Sequence, residues 1–366
     1  MDSCDCIVVG DDIAALSAAA LIAGAGLKTL LVTQPDRCDS WSDLLLPCCR
    51  SALERLQLLE PLATTLTAPG QSLQCIDALG DVALMLNGGL DSAARFWRPA
   101  EGRLRGLLLQ AAQQMGAQIA RANATAEVLR LRSGEWRVRV DDAANGSRHV
   151  TAPLVVDTRR QRAGEATWLE IRGRYRSASD PLAAMVAMRA LDGRGWCSLT
   201  PRGDGLVGVR IVCDEVEQTL TPQRLAELWE DRLVQAPRLL ERLTAAELAG
   251  ELSASVVAKG DCDPWGAFRD SCDLLLGEEI ASRVQETAQS GGDDALSAPI
   301  GRSDASGAAA KIQTALRVLF GQCDAQAGGA GCSSEAIRTL NKALGEGSSS
   351  TSPFPPAGDE AILTRA

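Results

Sequence analysis

The chain has 366 residues, 46% hydrophobic and 23% charged, with a net charge of −10 at pH 7. That length supports a large core and about two domains of ~150 residues each, and the negative charge offers no basic field to hold nucleic acid or an anionic membrane. No apolar run reaches the ~18 residues of a membrane span, and acidic Asp2 and Asp5 stand where a secretion signal would carry basic residues, so a cytoplasmic protein is expected.

The first apolar block, DCIVV at 5–9, reads as a short β-branched strand ended by Gly10. IAALSAAALIAGA at 13–25 reads as a helix of small residues capped by Gly26, and KTLLVT at 28–33 as a second strand. Strand, helix and strand with short connections make a parallel β-α-β unit. Apolar character on both faces of the strands predicts a sheet covered by helices on each side. A loop at 35–49, a helical stretch at 51–59 and a strand pair within 71–92 follow.

Pro99 sits near the start of a helix whose Leu104, Leu107, Leu108, Ala111, Ala112 and Met115 form an apolar stripe, ended by Gly116. ATAEVLRLRS and EWRVRVDD alternate and predict an antiparallel pair turning at Ser133-Gly134. HVTAPLVVDT ends in the continuous apolar run LVV, which predicts a return to the buried sheet. Between 166 and 215, TWLEIRGRYR, PLAAMVAMRA and GLVGVRIVCD predict an antiparallel sheet, with turns at Asp192-Gly193 and Gly203-Asp204-Gly205. Helical patterns run from Pro222 to about Leu248, then from Leu274 to Ser290, Ala308 to Phe320 and Ser334 to Leu344. The Gly/Ser/Pro-rich end reads as disordered.

Twelve cysteines and a single histidine, His149, complete the chemistry-bearing inventory. No C-x-x-C occurs, and no second pair complements Cys4 and Cys6, so a tetrahedral zinc site is not expected. The cysteines read as reduced thiols packed like small apolar side chains. One histidine also argues against a Ser-His-Asp or Cys-His hydrolase.

With these blocks in order, residues 4–291 resemble the FAD-dependent oxidoreductases of the p-hydroxybenzoate hydroxylase-like superfamily, which includes aromatic monooxygenases and tryptophan-halogenase-like flavoproteins. The resemblance implies an α/β fold: a glutathione-reductase-type FAD-binding parallel sheet with helices, an antiparallel-sheet substrate domain and a helical C-terminal region. It divides the chain into an FAD-binding domain at 1–70, 96–164 and 255–300, and a substrate domain at 71–95 and 165–254. Residues 301–345 form the helical region and 346–366 the tail.

Gly10-Asp11-Asp12-Ile13-Ala14-Ala15 resembles the family's G-x-G-x-x-G/A turn, with Gly10 and Ala15 matching and Asp12 in place of the glycine that lets a pyrophosphate approach. Thr33 stands where the family carries a ribose-binding Glu. Arg98 and Arg103 are candidates for the arginine that reaches the flavin pyrophosphate. In Val155-Val156-Asp157-Thr158-Arg159-Arg160 the family's Asp is Asp157, while Arg159 and Arg160 replace a small residue and a glycine. These arginines could offset Asp11 and Asp12 or grip a phosphate. Gly260 and Asp261 resemble the pair that holds the ribityl chain. Gly277 to Glu279, at the expected start of a helix, would face the flavin ring, with Glu279 in place of glycine.

Trp196 to Pro201 matches only two positions of a halogenase segment, without the halogenase lysine motif; Trp196 is expected to pack one face of the antiparallel sheet. The implied function is an FAD-dependent oxidoreductase, monooxygenase-like, acting on a small-molecule or peptide substrate. The alternative is a homologue that has lost FAD and serves as a binding or accessory protein for a partner protein. Altered Asp12, Arg160 and Glu279 favour the alternative, and the preserved core pattern favours the first.

Overall fold

The structure, a computed structural model, describes residues 2–33, 45–63, 72–76, 82–87, 103–121, 126–142, 146–159, 167–177, 185–190, 195–203, 205–214, 220–243, 246–258, 269–290 and 299–301. The expected helices at 308–320 and 334–344 and the tail lie outside these residues.

The chain begins with strands β1 (Asp2–Ser3) and β2 (Cys6–Val9), helix α1 (Ile13–Gly24) and strand β3 (Thr29–Thr33). Helices α2 (Arg50–Arg55) and α3 (Leu59–Ala63), strands β4 (Ser72–Ile76) and β5 (Val82–Asn87), and helix α4 (Arg103–Gln114) come next. Strands β6 (Gln118–Arg121), β7 (Glu127–Arg130), β8 (Trp136–Asp142), β9 (Gly146–Ala152) and β10 (Leu154–Asp157) follow. Then come β11 (Thr167–Ser177), β12 (Met185–Ala190), β13 (Gly195–Gly203) and β14 (Leu206–Cys213). Helices α5 (Pro222–Val234) and α6 (Pro237–Leu243), strands β15 (Ala246–Leu248) and β16 (Ser253–Ala258), helix α7 (Arg269–Gln289) and strand β17 (Ile300–Gly301) complete the order.

Two compact units result, one spanning Met1–Thr65, Trp97–Gln161 and Phe268–Gln313, the other Leu66–Phe96, Arg162–Ala267 and Thr314–Ala366.

In the first unit a parallel sheet runs β17-β10-β2-β3-β6. Val9 lies beside Asp157 on one side and Val32 on the other, so these strands present their carboxyl ends together. Ile7, Val9, Leu30 and Val32 alternate onto one face and pack with Trp136, Val138, Val140 and Val150 of a second sheet, β1-β9-β8-β7. One face is therefore covered by strands, and the expectation of helices on both faces is corrected. Two-sided apolarity reports that both faces are covered, not what covers them.

Helix α1 packs under the other face, with α4 and α7 against it. Ile13 to Ala23 are all buried, which explains a helix built almost wholly of small and aliphatic residues. It ends as expected: Gly26 takes φ 89 and its N–H reaches the Ala23 carbonyl at 2.8 Å. The turn from β7 to β8 also falls where the sequence placed it, with Gly134 at φ 88.

The second unit is built on a sheet ordered β15-β11-β14-β13-β12-β4-β5, with β16 also on β11. Only the β12–β4 pair is parallel. Leu169, Ile171, Leu199, Val209 and Ile211 form one face, covered by Leu225, Leu228, Trp229 and Leu239 of α5 and α6. Gly173 makes room for Trp229: a Cβ there would sit 2.8 Å from its ring. Trp229 stacks on Tyr175 with ring centroids 6.3 Å apart and donates Nε1–H to its hydroxyl at 3.0 Å. Two strands, β13 and β15, lie where the sequence showed a motif fragment and a helical pattern. Trp196 packs into the sheet as expected, 1% exposed, with the Arg210 guanidinium 4.9 Å from its ring centre.

Candidate functional site

The site residues of the first unit gather at the carboxyl ends of β2, β3 and β10. β2 ends at Val9, and Gly10 continues it with an N–H bond to the Val32 carbonyl at 3.1 Å. A Cβ on Gly10 would overlap the Thr158 hydroxyl and lie 2.9 Å from the Ala15 Cβ. Glycine is thus required by its two neighbours, and Ala15, fully buried, is close to the largest residue the turn admits at its own position.

Asp12 is the N-cap of α1. Its Oδ1 accepts the Ala15 N–H at 2.8 Å and the Thr158 hydroxyl at 3.0 Å. Thr158 is itself fixed, fully buried, with its N–H on the Val9 carbonyl at 3.1 Å. The first turn of a helix is where free amides and the macrodipole favour an anion. Here the anion is the protein's own carboxylate.

Thr33 ends β3 and is buried; its hydroxyl accepts Arg105 Nη2 at 3.3 Å, while Arg105 Nη1 donates to the Asp11 carbonyl. Among the described residues, the arginine that reaches the turn is Arg105. Arg103 is the exposed first residue of α4, and Arg98 lies outside the described residues. The signal for Arg105 was its phase: it borders the stripe of Leu104, Leu107 and Leu108, so its stem follows the buried face.

Asp157 closes β10, and its carboxylate is held by Arg159: Nη2 to Oδ2 at 2.6 Å, Nε to Oδ1 at 2.9 Å, and the Arg159 N–H to Oδ1 at 3.1 Å. Arg159 Nη1 also donates to the Ala126 carbonyl at 2.5 Å. The hydrogen bond to Asp157 raises the Arg159 pKa further. The expectation that Arg159 would neutralise Asp11 and Asp12 is corrected: a carboxylate two residues away on the same strand end is nearer and bidentate. Arg160, Gly260 and Asp261 lie outside the described residues.

Gly277 is placed differently from the expectation. α7 begins at Arg269, so Gly277 lies in its third turn rather than at a helix start. Backbone amides inside a helix are used by carbonyls four residues back, and no helix terminus occurs at 277–279. A Cβ on Gly277 would overlap Ser17 Oγ and lie 2.7 Å from the Ala14 carbonyl oxygen. The glycine's role here is to let α7 approach α1. The sequence showed the glycine, but Asp270 and the residues before Leu274 gave no sign that the helix had already begun. Glu279 is half-buried on α7, and neighbouring Glu278 pairs with Arg55 at 2.8 Å.

Cys4, Cys6, Cys48, Cys49, Cys197, Cys213 and Cys272 are free thiols, and all of these but Cys48 are buried. Burial pushes the Cys4 thiol up to about 11 and raises Cys6 and Cys49 as well. They behave as the packed apolar groups the sequence suggested.

No protein-family model matches the chain, and no curated protein matches its sequence. Solved structures do match. The p-nitrophenol 4-monooxygenase of Pseudomonas putida aligns over 94% of this chain and 99% of its own, at TM-score 0.64 and 13% identity. A myxobacterial chondrochloren halogenase, described as FAD-dependent, covers 80% of this chain and 76% of its own at TM-score 0.60 and 16% identity. A flavoprotein/dehydrogenase of Cytophaga hutchinsonii covers 87% and 86% at TM-score 0.62 and 14% identity. The chain shares the fold of these three proteins.

On that flavoprotein fold, the cofactor's diphosphate would be expected at the turn after β2. The turn as it stands does not fit one. The Ala15 amide is used, and Asp12 adds a negative charge at the point of approach.

Proposed function

We propose that the protein is an FAD-dependent oxidoreductase, monooxygenase-like, acting on a small organic substrate. The observation that carries this reading is the fold itself, aligned over 94% of this chain with a p-nitrophenol 4-monooxygenase. Flavin, when bound, supplies the redox chemistry, which is consistent with a chain that has a single histidine. Gly10, Ala15, Thr33, Asp157 and Arg105 are the described residues that would border it, and Arg98, Gly260 and Asp261 are proposed with them.

A second reading is favoured by one specific observation, the Asp12 carboxylate seated on the Ala15 amide. In that reading the protein has given up FAD and acts as a binding or accessory protein for a partner enzyme. Colour decides between them. Purified protein with flavin absorbance, releasing FAD on denaturation, supports the oxidoreductase. Colourless protein whose melting temperature ignores added FAD overturns it and supports the accessory role.

A further inference from the structure

We propose that Asp12 is a built-in competitor for the cofactor's diphosphate, so that an anion enters the turn after β2 only when the Asp12 carboxylate leaves it. The inference rests on the flavoprotein reading for its choice of ligand, and on the turn's own geometry for everything else.

Oδ1 of Asp12 is fixed by two donors from different parts of the chain, the Ala15 N–H and the Thr158 hydroxyl. Thr158 is fully buried and tied to Val9. Below the turn, Gly10 leaves no space, because its Cβ position is filled by Thr158 and Ala15. On the open side, Arg105 is bonded to the Asp11 carbonyl and to Thr33. Asp157, the next carboxylate along the strand ends, is engaged by Arg159. A diphosphate at this turn therefore meets a fixed negative charge and an amide already in use, and each opposes binding.

An aspartate at the N-cap stabilises α1 by itself, whereas a glycine there would leave the first turn short of an acceptor.

The test is titration calorimetry and thermal shift with inorganic pyrophosphate, ADP and FAD on the full chain. The variants are Asp12→Ser, which keeps a capping oxygen on a shorter neutral side chain, and Asp12→Asn, which keeps shape and cap and removes only the charge. Both should bind pyrophosphate and ADP at least about tenfold more tightly than the unmodified protein, since one fixed like charge near the anion is gone. Equal affinity in all three proteins, or tight FAD binding by the unmodified chain, overturns the inference; tight binding would leave the oxidoreductase reading standing. Variants that gain pyrophosphate and ADP but still ignore FAD sustain the inference and overturn that reading instead.

Discussion

Replacing Gly277 by alanine should destabilise the unit that contains the parallel sheet, although alanine is the better helix former. In an isolated helix the change gains about 1 kcal/mol. In α7 the new methyl would meet the Ala14 carbonyl oxygen at 2.7 Å and the Ala18 nitrogen at 3.1 Å, besides overlapping Ser17 Oγ. An ordinary carbon–oxygen contact is about 3.3 Å or more, so the backbone of α1 has to retreat by roughly half an ångström. α1 cannot do so freely, because Ile13 to Ala23 are buried against neighbours all round. Overpacking of this kind costs about 1–3 kcal/mol, and contact with backbone rather than a flexible side chain places it toward the upper end. The net loss is then about 1–2 kcal/mol, read as a lower denaturant midpoint at unchanged slope. Adding Ser17→Ala should restore only part of it, since the Ala14 carbonyl stays in place. If Gly277→Ala is neutral or stabilising, Gly277 does not sit between the two helices and the reading of α7 is wrong.

Glu170 is 1% exposed and faces Arg172 at 2.9 Å and also Arg210. Burial alone would raise its pKa, but the two guanidiniums outweigh burial and hold it below its ordinary 4.5. A lowered folded-state pKa contributes stability above the unfolded value and loses it as pH falls through the folded one. Acid unfolding monitored by tryptophan fluorescence should therefore steepen below a pH of about 4.5. Glu170→Gln should remove that component while costing about 3 kcal/mol near neutrality, because two buried cations lose their partner. Trp229→Phe should cost about 1–2 kcal/mol in equilibrium unfolding, from the lost bond to Tyr175 and the smaller ring. With a thiol-alkylating reagent near pH 8, mass spectrometry should find Cys48 modified before Cys4, because a thiol whose pKa is about 11 is ionised to only roughly one part in a thousand.

The sequence by itself determined the strand–turn–helix of Gly10 to Thr33, the β7–β8 hairpin, the return of Leu154 to Asp157 to the parallel sheet and most of the antiparallel strands. Each is a local pattern: a run of β-branched residues, a glycine at a positive-φ turn, a period of two or of 3.6. The Asp12 cap is likewise a local feature, since capping acts within three residues. Only the tertiary structure decided which partner each charged group chose. Arg105 rather than Arg103 reaches Thr33, and Arg159 turns to Asp157 rather than to Asp12. Only packing showed that strands cover one face of the sheet and that Gly277 separates two helices. Such choices depend on distances between residues far apart in the chain, and a one-dimensional pattern does not carry those distances.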